Sequence, residues 1–214
     1  MRFADAADRL SVLPTPLPPG RAELMPVFTD GRLRPRLDPT ASARPAAVLV
    51  LVYPGPDGEA RIVLTERLSY DGHHSGEVSF PGGKAEPLDG GDPAATALRE
   101  AGEEIALRAA DAGVRVLGRL DEVFIPVSDF RITPIVATAA VEPHLRADPA
   151  EVARILTPPI DMFLPGAPIE MVERTIRDWP IRYGGFRIEG LHVWGATARI
   201  LGQLGAILAG ERPV

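Results

Sequence analysis

Residues 46–53, AAVLVLVY, form an unbroken apolar run. Successive side chains of a strand point to opposite faces, so a run without polar alternation belongs in a well-buried sheet. The sequence Pro54-Gly55-Pro56-Asp57-Gly58 then supplies a turn, and ARIVLTERL follows as a second run. Two such runs around a Pro/Gly/Asp turn predict a β-hairpin. A loop is expected over 69–75, a short strand over 77–80 and a helix over 93–107. Strands return over 114–125 and 130–141. A short helix is expected near 149–156, an extended pair within 171–188 and a closing helix over 194–209. Mixed strands interrupted by one helix and closed by another indicate an α/β fold with helices packed on a sheet.

Ahead of this pattern, residues 1–45 hold eight of the 23 prolines and no sustained periodicity. Proline removes an amide donor and interrupts helix and strand patterns alike. The segment reads as a proline-rich N-terminal extension with a short helix near its start, and residues 46–214 as the main domain. A proline-rich ligand for a partner is the alternative, without a persuasive motif to carry it.

Composition removes several function classes. The chain has no cysteine, which excludes disulfides, thiolate nucleophiles and sulfur-based zinc sites. Its net charge of −6 is not gathered into tails, and without a bulk basic footprint nucleic acid is not an expected partner. No run of about 18 apolar residues occurs, so no membrane span is expected. The opening MRFADAADRL has acids where a secretion signal needs basic and then apolar residues, which predicts a cytoplasmic protein. Lys84 is the only lysine, and it follows Gly82 and Gly83 directly.

The chemistry gathers after that glycine pair. Asp92-Pro93 is a helix start, an acceptor at the cap followed by a residue preset for the first turn. At about 100° per residue, Ala94, Leu98, Ala101 and Ile105 fall on one face, and Glu100, Glu103 and Glu104 are expected on the opposite one. Like charges at this spacing repel, and only Arg99 is adjacent to relieve them. Such carboxylates suit a hard divalent cation, Mg²⁺ or Mn²⁺, although an acidic helix face also occurs as plain structure. The glycine pair lets backbone approach a ligand closely. The spacing is neither a Walker-type loop nor a dinucleotide fingerprint.

Gly82, Gly83, a loop, then Arg99-Glu100-x-x-Glu103-Glu104 resembles the signature of the Nudix hydrolases. Leu64-Thr65-x-Arg67, His74-x-Gly76-x-Val78-x-Phe80-Pro81-Gly82-Gly83, Thr96-Ala97-Leu98-Arg99-Glu100-Ala101 and Trp194-Gly195-x-Thr197-Ala198 are similar to the coenzyme A pyrophosphatase branch. The resemblance covers most of residues 46–201. It implies an α/β/α sandwich with a mixed sheet, a catalytic helix after the Gly-Gly loop, and Mg²⁺- or Mn²⁺-dependent cleavage of a nucleoside diphosphate derivative. Coenzyme A or its thioesters would be the substrate, giving 3',5'-ADP and a phosphopantetheine. Rival readings are a hydrolase of ADP-ribose, NADH or another such derivative, and a silent nucleotide-binding sensor. A homodimer is compatible with either. The pattern departs in four places. The loop between Gly83 and Arg99 has 15 residues, two longer than the usual spacing of the family; the box glutamate position falls on Gly91, leaving Asp89 or Glu86 to substitute; Ala106 stands where a glycine is usual; and Gly72 stands where the branch carries a basic residue.

By this resemblance, Glu100 and Glu104 would hold the metal, with Glu103 as a further ligand or as the base acting on water. Glu151 and Glu122 are outside candidates for the base. Arg99 would orient the glutamates. Arg67, His74, Gly82, Gly83 and Lys84 are the candidate substrate contacts, with His73 a weaker one. Each has a plain alternative: a structural salt bridge for Arg67, a loop hydrogen bond for His74, an exposed side chain for Lys84. Phe80 and Trp194 read as core residues or as platforms for adenine.

Overall fold

The computed structural model describes residues 1–33, 39, 42–68, 76–176 and 179–212. The elements run in the order α1 (Phe3–Leu10), β1 (Val27–Phe28), β2 (Arg44–Pro54), β3 (Ala60–Ile62), β4 (Leu64–Arg67), β5 (Val78–Ser79), β6 (Gly82–Lys84) and α2 (Pro93–Ile105). They continue with β7 (Arg115–Arg119), β8 (Val123–Ile125), β9 (Phe130–Thr138), β10 (Val152–Leu156), β11 (Glu170–Ile176), β12 (Trp179–Ile188), β13 (Leu191–Val193) and α3 (Gly195–Ala209). Short 3₁₀ turns lie at Ala22–Leu24, Pro87–Asp89 and Ile160–Phe163.

The apolar run lies in β2, the centre of a mixed sheet ordered β3-β2-β9-β7, with β6 also on β2 and β8 on β9. β2 and β9 are parallel from Arg44↔Phe130 to Val52↔Thr138, and the other pairs in this sheet are antiparallel. Val48, Val50 and Val52 point to one side, into a core shared with α1 and α3 residues such as Leu10, Leu201 and Leu204. Ala47, Leu49, Leu51 and Tyr53 point to the other, against Ala97, Ala101 and Ile105 of α2. Both faces of β2 are covered by helix, which is why neither alternate set is polar and why the architecture is the expected α/β one. Two smaller sheets, β10-β4-β5 and β1-β12-β11 with β13 on β12, complete the structure.

Three local expectations need correction. The hairpin forms at Val52↔Ile62 to Pro54↔Ala60, but the second run then divides: β3 stays with β2, and β4 pairs with β10 and β5. The run at 114–125 is likewise two strands. β7 and β8 flank Pro134 of β9, which has no amide to donate; only its carbonyl is used, accepting from Leu120 N at 3.0 Å. Residues 149–156 are not helical. Asp148 starts one turn, its Oδ1 accepting from Ala150 N at 2.9 Å, and the chain then extends into β10 against β4.

The segment before β2 reaches the interior. Ala6, Leu10 and Leu24 are buried, and Arg9 donates to the Leu208 carbonyl near the end of α3. α3 is apolar nearly all round, as expected of a helix with neighbours on every side. A Cβ on its Gly205 would lie 1.9 Å from the Phe163 carbonyl oxygen, so only glycine allows this approach.

Candidate active site

The site is built where α2 crosses β6. Asp92 caps α2, its Oδ1 accepting from Ala94 N at 2.9 Å, and Pro93 opens the first turn. The helix then delivers Arg99, Glu100, Glu103 and Glu104 beside the glycine pair. Gly82 and Gly83 form strand rather than the expected loop, pairing with Val48 and Ala47 of β2. A Cβ on Gly83 would stand 2.5 Å from Glu100 Oε2, and one on Gly82 would stand 2.4 Å from the Ala47 carbonyl oxygen. The pair is therefore needed for space: it lets α2 bring its acids down onto the sheet edge.

Arg99 organises the acids. Its Nε and Nη2 grip Asp89 at 2.9 and 3.2 Å, Nη2 reaches Glu100 Oε1 at 2.9 Å, and Nη1 reaches Glu103 Oε2 at 3.0 Å. Nη2 also donates to the Lys84 carbonyl at 3.0 Å. Of the two acids near the missing box glutamate, Asp89 is the one that Arg99 holds. Its buried carboxylate also accepts from Thr96 Oγ1 and Glu86 N, both at 2.8 Å, and the Arg99 guanidinium with these donors holds it well below the usual carboxylate range. Glu86 caps the Pro87–Asp89 turn instead. Arg99 is in turn driven above its ordinary value, chiefly by Asp89.

Glu104 does not lie on a solvated face opposite the apolar stripe. It is 4% exposed, packed beside Ala97 and Ala101, with Oε2 accepting from Gly82 N at 3.0 Å. Burial pushes its carboxyl up to about 7, against the lowering effect of the Gly82 amide and the Arg67 charge; Glu100 and Glu151 raise it further. Burial also raises Glu100, partly offset by Arg99. Among the described residues, no group of three or more acids or histidines is already gathered tightly enough to hold a cation. The donor set nevertheless fits one. Glu100 and Glu104 are desolvated, Glu100 raises Glu104, Glu103 raises Glu100, and Glu151 raises both, a conflict that a hard divalent cation on carboxylate oxygens removes.

The remaining candidates divide. Arg67 ends β4, influences Glu104, and has a buried Nε with no hydrogen-bond partner among the described residues. The Lys84 side chain is exposed. His73, His74 and Gly72 lie outside the described residues. Phe80, 1% exposed, is core; Trp194 packs against Tyr183 with ring centroids 4.8 Å apart. Glu122 accepts from Thr133 Oγ1 at 3.1 Å and lines a small cavity with Pro93 and Thr96, at the start of α2 and away from Glu104. Glu151 is brought in by pairing, since Leu68 N donates to its carbonyl and Val152 faces Arg67. Sequence spacing could not weigh Thr96, the donor to Asp89, because the turn at Pro87–Asp89 makes that contact.

Residues 43–175 match the NUDIX domain family. Nudix hydrolase 15, mitochondrial, of Arabidopsis thaliana is 36% identical over 177 residues, 78% of this chain and 59% of the relative. Nudix hydrolase 22, chloroplastic, of the same plant is 37% identical over 167 residues, 73% and 52% of the respective lengths. The chain thus spans little more than half of either plant relative. The uncharacterized Nudix hydrolase NudL of Pectobacterium atrosepticum is 34% identical over 187 residues, 85% of this chain and 91% of the relative. Among solved structures, the Nudix hydrolase RenU of M. smegmatis superposes with a TM-score of 0.54 at 22% identity, covering 80% of this chain and 89% of that one, a likeness of fold. Among the described residues, no helix is long and apolar enough to cross a membrane.

Proposed function

Because this chain belongs to the NUDIX family, we propose that it hydrolyses the diphosphate bond of a nucleoside diphosphate derivative, with Glu100 and Glu104 holding a divalent cation. The observation that carries this reading is the desolvated pair Glu100 and Glu104, set side by side against the glycine edge of the sheet at Gly83 and Gly82. Nudix hydrolases generally use divalent metal ions, and Mg²⁺ or Mn²⁺ bound here would polarise the diphosphate and acidify an attacking water.

The chain's own residues supply the rest. Glu103, with a side chain 60% exposed, serves as a third ligand or as the acceptor of the water proton, with Glu151 the rival acceptor. Arg99, fixed by Asp89, positions Glu100 and Glu103 without touching substrate. Arg67, whose charge already acts on Glu104, is the proposed cation for the diphosphate, and Lys84 a charge at the rim.

Coenzyme A or an acyl-coenzyme A is the proposed substrate, giving 3',5'-ADP and a phosphopantetheine fragment. Support for it is the run of matching residues from Leu64 to Gly83 and from Trp194 to Ala198. The test is incubation with Mg²⁺ or Mn²⁺ and, in parallel, coenzyme A, ADP-ribose, NADH and nucleoside triphosphates, with products identified by mass spectrometry. Release of phosphopantetheine is expected. Preference for another nucleotide would keep the chemistry and discard this substrate, whereas binding without turnover would favour the sensor.

A further inference from the structure

β11 is an edge strand: β12 pairs with one side of it, and among the described residues nothing pairs with the other. An open strand edge is a template for another chain. β11 reads Glu170-Met171-Val172-Glu173-Arg174-Thr175-Ile176. Arg174 is exposed and has no ion-pair or hydrogen-bond partner among the described residues. On the solvent face of the same sheet, Met25 and Met171 are each 46% exposed and line an open groove with Val27, Glu173 and Arg182.

We propose that this edge pairs with the β11 edge of a second copy of the chain, antiparallel about a two-fold axis at Val172. The register follows from charge. A two-fold normal to the sheet must keep each side chain on its own face, so the axis passes through a residue. Centred on Glu173 or Arg174, like charges would meet directly. Centred on Met171, Glu170 would face Val172, and Ile169 would face Glu173. Centred on Val172, Val172 meets Val172, Met171 meets Glu173, and Glu170 meets Arg174 twice, with no like charges opposed. Glu170 already takes Arg187 Nη2 at 2.8 Å within its own chain, and Arg174 of the second copy gives the strand the second cation. The pairing joins the two sheets edge to edge and sets the two Met25–Met171 grooves side by side.

The absence of cysteine makes the test clean. In the full chain, Val172→Cys should be trapped as a disulfide-linked dimer under mild oxidation, because paired residues across an antiparallel ladder have Cα atoms about 4.5–5.5 Å apart. Thr175→Cys, displaced from the axis, should stay unlinked. By sedimentation equilibrium, the unmodified chain should be a dimer, and Arg174→Glu should weaken it roughly tenfold or more. A monomer at every concentration overturns the proposal. So does a dimer indifferent to Arg174→Glu, or one trapped at 175 and not at 172.

Discussion

Glu104 is a carboxyl whose folded environment disfavours its charge, and this makes the protein's stability depend on pH in an unusual direction. Its folded value of about 7 lies above the ordinary 4.5, so between these limits the folded state binds more protons than the unfolded state. Stability is therefore greatest below about pH 4.5 for this group and declines as pH rises towards 7, by about 3 kcal/mol in metal-free protein. Glu100, raised by burial, acts in the same direction, whereas Asp89, held low, matters only at more acid pH. Urea unfolding in chelator at pH 5 and pH 8 should show the decline, and Glu104→Gln should flatten it while lowering kcat by roughly a hundredfold or more. Undiminished turnover in both Glu104→Gln and Glu100→Gln would sink the metal assignment. Asp89 acts through Arg99. For Asp89→Asn we expect kcat to fall about 10- to 100-fold with an unchanged circular dichroism spectrum, read by steady-state kinetics.

At the scale of elements, α2 ends on a residue that strains it. Ala106 closes the helix with φ 52° and ψ 32°, a left-handed conformation that costs a residue with a Cβ about 1 kcal/mol. Ala106→Gly should raise the midpoint of chemical unfolding by a corresponding amount and leave turnover unchanged. This departure was visible in the sequence because a helix stop is local. The acids of α2 were legible for the same reason: their spacing, the Asp-Pro cap and the glycine pair all lie within one segment. What the spacing could not tell was depth. Glu104 sits only a small arc from Ala101, and it takes β6, close enough to offer the Gly82 amide, to make that position buried. Residues 149–156 depart from their helical pattern for a related reason. Asp148-Pro149 carries the same signal as Asp92-Pro93, and it does start a turn, but β4 needs a partner and the ladder from Val152 to Leu156 overrides the local preference. The break at Leu120–Glu122 was written in another strand altogether, at Pro134. Likewise, choosing Asp89 over Glu86 required knowing how the Pro87–Asp89 turn aims its carboxylate.

For the whole molecule, the division of β2 between two cores separates chemistry from support. The α2 side carries the acids; the α3 side is closed by α1 and by the Ala22–Leu24 turn. Leu10, fully buried there, should cost about 2–4 kcal/mol on replacement by alanine, measured by urea unfolding, with kcat unaltered where the protein remains folded. Loss of turnover in folded Leu10→Ala would mean that the two sides are coupled through β2.

α3 also has a consequence in time. α1 precedes α3 by most of the chain, yet the two helices touch and share one core with Val48, Val50 and Val52 of β2. Until residue 209 has left the ribosome, the core around Val48, Val50 and Val52 has α1 but lacks the α3 side chains, although α2 can already shield the opposite face. The nascent chain thus passes through a stage with one finished layer and one half-covered apolar face, the kind of surface that invites aggregation while synthesis is under way.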